Sequence, residues 1–184
     1  MKYITADIAR LGNDKTVVFV WSGLRVIEVQ TKNVSRVNES VDLINSLKDK
    51  YNVNTNNIIV DEDGVGGGVV DYLKCQGFVN NSRPVKVKGF SENFTNLKTQ
   101  CYYKLSEIIN KNEIYINCYE KLELLLIEEL EWVRLPKEVD TAKISLLAKS
   151  EVKKNIGRSP DYSDALMMRC YFELHPNTGT YYIS

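Results

Sequence analysis

The sequence predicts an α/β fold in which helices flank a mixed β-sheet, and three observations predict it. The chain opens with three strand-like runs separated by short turns; it then alternates helix-like and strand-like segments; and one of the later strands, around Ile58-Ile59-Val60, is continuously apolar.

Taken in order, residues 3–9 (YITADIA) and 15–21 (KTVVFVW) read as two strands, joined by Gly12-Asn13-Asp14, residue types that tolerate the backbone angles of a turn. Residues 24–32 (LRVIEVQTK) follow Ser22-Gly23 and complete an antiparallel meander. From 39 to 51, Val41, Leu43, Ile44 and Leu47 recur near helical spacing among charges, which predicts an amphipathic helix packed on the meander. The run NIIVDED has the apolar continuity of a central buried strand, and its three acids come where that strand should end. Residues 64–68 (GVGGG) lead into a short helix, VVDYLKC, and residues 84–90 (PVKVKGF) read as another strand. Residues 96–110 form a long helix pattern and 113–116 a short strand. Residues 119–135 form a second long helix with Leu122, Leu125, Leu126, Leu130 and Val133 inward. A polar, Lys-rich stretch follows, then a last helix with Ser159 as N-cap and Pro160 at its first position. No repeat, low-complexity tract or linker divides the chain, so residues 1–184 are read as one domain.

Composition narrows the chemistry. Lys plus Arg equals Asp plus Glu at 24 each, so affinity for a polyanion must come from uneven placement of charge. Cys75, Cys101, Cys118 and Cys170 form no CxxC pair, which disfavours a zinc ribbon or a disulfide framework. His175 is the sole histidine, leaving little material for a His-rich metal site or a Ser-His-Asp triad. Carboxylates must therefore carry any acid–base or metal chemistry. No apolar run approaches the roughly 20 residues that span a bilayer, and no signal-peptide pattern follows Met1, so the expectation is a soluble, unexported protein with no membrane partner.

Asp7 lies between apolar neighbours in a strand, where an unpaired charge is expensive to desolvate. Asp61 ends the buried strand, and ligands in open α/β sheets bind at that carboxyl end. Asp161 and Asp164, three residues apart in the last helix, project from one face. A divalent cation accounts for all four acids, and oxygen-only ligation suits Mg2+ or Mn2+. Each acid also has a plainer reading: a lysine partner for Asp7, a solvated loop for Asp61, Glu62 and Asp63, and the helix dipole for Asp161. Asp14, in the turn after the first strand, is read as a turn residue and a supporting neighbour of the site. The glycines at 64–68 resemble a phosphate loop, but no GxxxxGK sequence is present, which disfavours an ATPase site within the chain. Close approach of a backbone or a substrate strand is the better reading of those glycines.

These segments together resemble the ribonuclease H-like nuclease domains of tailed-phage and herpesvirus terminase large subunits, over nearly the whole chain. DIARLGNDKTVV is similar to the family's first motif, with Asp7 in the metal-binding role. IIVDEDGVGGGVVDYL is similar to the second, with Asp61 in that role, and SPDYSDALMMR to the third, with Asp164 and then Asp161. The resemblance implies a ribonuclease H-like fold and two-metal cleavage of double-stranded DNA during genome packaging in the host cytoplasm, with Mg2+ or Mn2+ as cofactor. It also implies a packaging ATPase domain, a portal and a small terminase subunit as partners. Two alternatives stand beside it: a junction resolvase of the same fold, which would act as a dimer, and a DNA-gripping module whose acids are structural.

Charge placement agrees with a DNA partner. From residue 134 to 158, Arg134, Lys137, Lys143, Lys149, Lys153, Lys154 and Arg158 face only Glu138, Asp140 and Glu151. Lys143, Lys149, Lys153, Lys154 and Arg158 are the candidate phosphate contacts, which would give sequence-independent, salt-sensitive affinity. A solvated Lys-rich loop is the other reading.

Overall fold

The computed structural model describes residues 1–9, 14–33, 36–86, 93–117, 119–134 and 143–175. The meander is present as β1 (Lys2–Asp7), β2 (Thr16–Ser22) and β3 (Arg25–Lys32), each antiparallel to the next. Helix α1 (Val37–Tyr51) and a short 3-10 turn (Thr55–Asn57) lead to β4 (Ile58–Asp61), which pairs in parallel with β1. Helix α2 (Gly66–Leu73), β5 (Gln76–Phe78), α3 (Leu97–Asn110), β6 (Tyr115–Ile116) and α4 (Glu120–Trp132) follow. The described chain closes with α5 (Lys149–Ile156), α6 (Asp161–Met167) and α7 (Arg169–Leu174). The sheet runs β5-β4-β1-β2-β3-β6, so the strands carrying Asp7 and Asp61 are adjacent near its centre.

Period-two alternation makes the sheet two-faced. Val17, Phe19 and Trp21 of β2 point into a core with α3, α4, α6 and α7, while Val18 and Val20 join Ile4, Ala6, Ile58 and Val60 in a second core with α1 and α2. Trp21 is fully buried and its Nε1 donates to Thr5 Oγ1 at 3.1 Å, so the one polar group this large ring carries inward is satisfied.

Three sequence expectations are corrected. The strand beside β4 is Gln76–Phe78, which the sequence reading did not pick out; of the run expected as a strand at 84–90, Pro84, Val85 and Lys86 adopt no regular structure, and residues 87–90 lie outside the described residues. Gly77 hid the true strand, because glycine is a poor strand former; the exposed Glu62 side chain lies over it. Val85 keeps a strand-like exchange even so, giving its N–H to Gln100 Oε1 and accepting from Gln100 Nε2 at 2.7 and 2.9 Å. The Lys-rich stretch contains a helix, α5, whose single buried residue Val152 gave too weak an apolar stripe to reveal it. The last helix is two helices, and the first begins at Asp161 with Pro160 in the cap position. Ser159 does not cap it: its hydroxyl donates to Asp14 Oδ1 at 2.8 Å and its oxygen accepts from Lys153 Nζ at 3.2 Å. Gly12, Asn13, Lys137, Glu138 and Asp140 lie outside the described residues.

Candidate active site

The parallel register pairs Ala6 with Val60, so the next residue on each strand is an acid, and Asp7 and Asp61 reach the carboxyl edge of the sheet side by side. Each is only 8% exposed. Helix α2 starts hard against this edge. A Cβ on Gly66 would sit 1.6 Å from the Asp61 carbonyl oxygen, so the glycine run serves close backbone approach. Helix α6 packs across β1 and β2 and brings Asp161 and Asp164, 6% and 2% exposed, to the same edge. The Lys15 N–H donates to Asp161 Oδ2 at 2.7 Å and fixes the start of that helix to the start of β2. Asp7, Asp14, Asp61, Asp161 and Asp164 all line one cavity of about 520 Å³.

The acids in this cavity are unequally supplied with partners. Asp7 Oδ2 is buried with no hydrogen-bond partner among the described residues. Burial, then the charges of Asp164, Asp61 and Asp161, push its carboxyl well above the usual carboxylate range against the pull of Lys149. Burial also raises Asp61, although the Asp63 N–H and Asn80 side chain donate to it, and raises Asp161 despite the Lys15 N–H. Asp164 goes the other way. Burial opposes its charge, but Lys98 at 2.7 Å and Lys149 at 3.1 Å overcome that, and Tyr102 donates to Oδ1 at 2.6 Å. Asp14 is likewise held low: burial opposes its charge, and donors from Ser159 and Lys153 prevail.

Of the predicted basic contacts, Lys149 faces Asp164, Lys153 faces Asp14, and Arg158 is paired with Glu128 and Glu129. Lys143 and Lys154 are exposed. Lys98, Asn80, Tyr102 and Glu129 are site neighbours that reading the sequence missed. Lys98, Tyr102 and Asn80 carry no local signal, because their partners lie tens of residues away along the chain. Glu129 does carry one. Leu122, Leu126, Glu129 and Val133 form one inward stripe of α4 and its flank, and an acid there stands where an apolar residue belongs. Glu129 is fully buried, accepts the Ser163 N–H at 2.7 Å, and is pushed up to about 7 by burial against that N–H and Arg158.

Among the described residues, no group of three or more His, Cys, Asp or Glu side chains is arranged to hold a metal ion, and Asp164 is turned to Lys98, Lys149 and Tyr102. The donor set nonetheless fits a hard divalent cation. It is all oxygen, it includes a buried carboxylate oxygen on Asp7 with no hydrogen-bond partner among the described residues, and its mutual repulsion is what a cation would relieve.

The sequence matches no family model and no curated protein. Solved structures do match. The chain superimposes with TM-score 0.79 at 21% identity, over 91% of its length and 86% of the other, on a variant nuclease domain of the large terminase subunit gp2 of bacterial virus Sf6, with manganese and beta-thujaplicinol. It matches the large terminase nuclease from thermophilic phage G20c with bound magnesium at TM-score 0.62 and 16% identity, covering 92% of this chain and 79% of that one. The nuclease domain of the Thermus phage P74-26 large terminase matches at TM-score 0.61 and 14% identity, over 94% and 79%. The chain has the ribonuclease H-like fold of phage terminase nuclease domains. In this terminase-nuclease fold the four acids stand where β1, β4 and α6 meet. Among the described residues no helix is long and apolar enough to cross a membrane.

Proposed function

We propose that this chain is a divalent-metal-dependent endonuclease that cuts concatemeric double-stranded DNA during phage genome packaging. The observation that carries the reading is the convergence of Asp7, Asp61, Asp161 and Asp164 on one cavity, with a buried Asp7 oxygen that has no partner among the described residues, in a fold seen in terminase nuclease domains. Asp7, Asp61 and Asp164 would hold two Mg2+ or Mn2+ ions, with Asp161 assisting. Such ions, when bound, supply a water nucleophile and charge neutralisation at the scissile phosphate. The residues themselves do the positioning. The strand edge fixes Asp7 and Asp61, and the Lys15 N–H orients Asp161. Asp14 supports the rim by anchoring Lys153 and Ser159.

Lys143, Lys149, Lys153 and Lys154 would contact phosphates around the cavity. Arg158 is the least available of the five, engaged as it is by two glutamates. The packaging ATPase domain, portal and small terminase subunit are the expected partners in the host cytoplasm. Supercoiled plasmid incubated with the protein and Mn2+, Mg2+ or EDTA tests the reading. Nicking or linearisation that EDTA abolishes is expected, whereas DNA binding without metal-dependent cleavage would sink the nuclease reading in favour of a gripping module.

A further inference from the structure

We propose that Glu129 is a positioning residue for the acids on α6, an assignment that rests on the nuclease reading above. Helix α6 begins without a side-chain cap of its own, because Pro160 in the cap position carries no side-chain acceptor. The Ser163 N–H of its first turn would be left unsatisfied in the core. Glu129 Oε2 reaches across from α4 and accepts it at 2.7 Å, while Glu129 Oε1 takes the Arg158 guanidinium, whose chain position is three residues before Asp161. One carboxylate therefore clamps both the approach to α6 and its first turn to a neighbouring helix, and that first turn carries Asp161 and Asp164. The other restraints on the acids agree with such a frame: the Lys15 N–H holds Asp161, and the Tyr102 hydroxyl donates to Asp164 Oδ1 at 2.6 Å while its oxygen lies 3.1 Å from Ser163 Oγ.

Glu129 has no exposure at all and occupies a stripe otherwise built of leucine and valine. For stability alone, apolar packing in place of the whole Glu129–Arg158 pair would serve as well or better, since burying an ion pair is often no better than apolar packing. What an apolar side chain cannot do is accept the Ser163 N–H and set the register of α6. Partners that orient metal ligands typically change metal affinity by about 10- to 100-fold when removed.

The test compares Glu129→Met and Glu129→Gln with the wild type. The two replacements have similar length, but only Gln retains an acceptor. Mn2+ affinity by titration calorimetry, melting temperature without metal, and kcat for plasmid cleavage are measured on each. Glu129→Met is expected to lose about tenfold or more in Mn2+ affinity and to fall in kcat while remaining folded, and Glu129→Gln to recover most of both. Wild-type affinity and kcat in a folded Glu129→Met protein would overturn the assignment, as would equal losses in both variants. Glu129→Leu provides a second apolar replacement for the comparison with Gln if Glu129→Met does not fold. A wild-type protein that neither binds Mn2+ nor cleaves overturns the nuclease reading itself, which separates that failure from failure of the clamp.

Discussion

Asp7 and Glu28 are both carboxylates on the central sheet, on β1 and β3, and their surroundings treat them in opposite ways. Glu28 accepts from Lys50 Nζ and Gln30 Nε2 at 2.6 Å each and from the Tyr51 hydroxyl, and these donors draw its carboxyl down to about 2. Asp7 is buried beside three other acids with an oxygen unpartnered among the described residues, and it is pushed up. At one edge of the fold an acid has been given donors, and it contributes to stability. At the other, acids have been crowded together, and burial and mutual repulsion raise Asp7, Asp61 and Asp161, so their charged forms oppose folding even though two lysines hold Asp164 low. That difference marks the second region as a place kept for chemistry.

The largest expected effect comes from removing the least satisfied acid. Asp7→Ala should abolish Mn2+-dependent plasmid cleavage, while the melting temperature without metal stays level or rises because repulsion within the cluster is relieved. Plasmid assays and thermal melts on the same preparation decide it. Substantial residual cleavage would remove Asp7 from the centre of the site.

Asp164 sharpens the contrast, because it is an acid of the cluster that does have partners. Asp164→Asn should lower single-turnover cleavage by a larger factor than Asp161→Asn. Unlike Asp7→Ala, it should also lower the melting temperature without metal, since Lys98 and Lys149 lose their shared counter-charge. Asp161→Asn keeps an oxygen for the Lys15 N–H and should be milder on both counts. An inactive Asp161→Asn beside a nearly normal Asp164→Asn would move the principal ligand role to Asp161.

How much of this was legible in the sequence follows the range of the interactions. The meander, β4 and the acids at the strand ends were legible, because period-two burial and an acid after Ile58-Ile59-Val60 are local patterns. The positions of Asp161 and Asp164 on one short helix were legible from their spacing, although its start was not: the Ser159 hydroxyl is claimed by Asp14, 145 residues earlier. Lys98 and Tyr102 were invisible for the same reason, as their roles exist only once α3 packs beside α6. β5 stayed hidden because it is three residues long and Gly77 at its centre is a poor strand former. The basic stretch was legible as charge, but where that charge goes depends on Asp14, Asp164 and Glu129, which the fold brings to it.

That last point yields a smaller effect. Replacing Lys149, Lys153 and Lys154 with alanine should weaken duplex DNA binding about equally on all sequences and flatten its salt dependence, by about one unit of slope for each lysine that meets a phosphate. Lys149 and Lys153 face acids in the absence of DNA, so a loss of less than about three units is the expected result. Binding measured at several salt concentrations checks it. A change in sequence preference with an unchanged slope would end the phosphate-contact idea.

The smallest effect belongs to the well-supplied acid and tests the other half of the comparison. The folded state draws Glu28 from 4.5 down to about 2, with hydrogen bonds from Lys50 and Tyr51 as the main causes. A depressed acid contributes stability that is fully present above the unfolded value and is lost as pH falls toward the folded one. Wild type and Glu28→Gln should therefore differ most in melting temperature above pH 4.5 and converge as pH approaches 2. Lys50 is more than half exposed, so solvent screens the pair, and the gap at neutral pH should be only about 2–4 °C. Cleavage should not change, since Glu28 does not line the cavity that holds the four acids. A melting-temperature gap that stays constant down to pH 2 would mean that Glu28 acts through shape rather than charge, and the contrast with Asp7 would then rest on the crowded cluster alone.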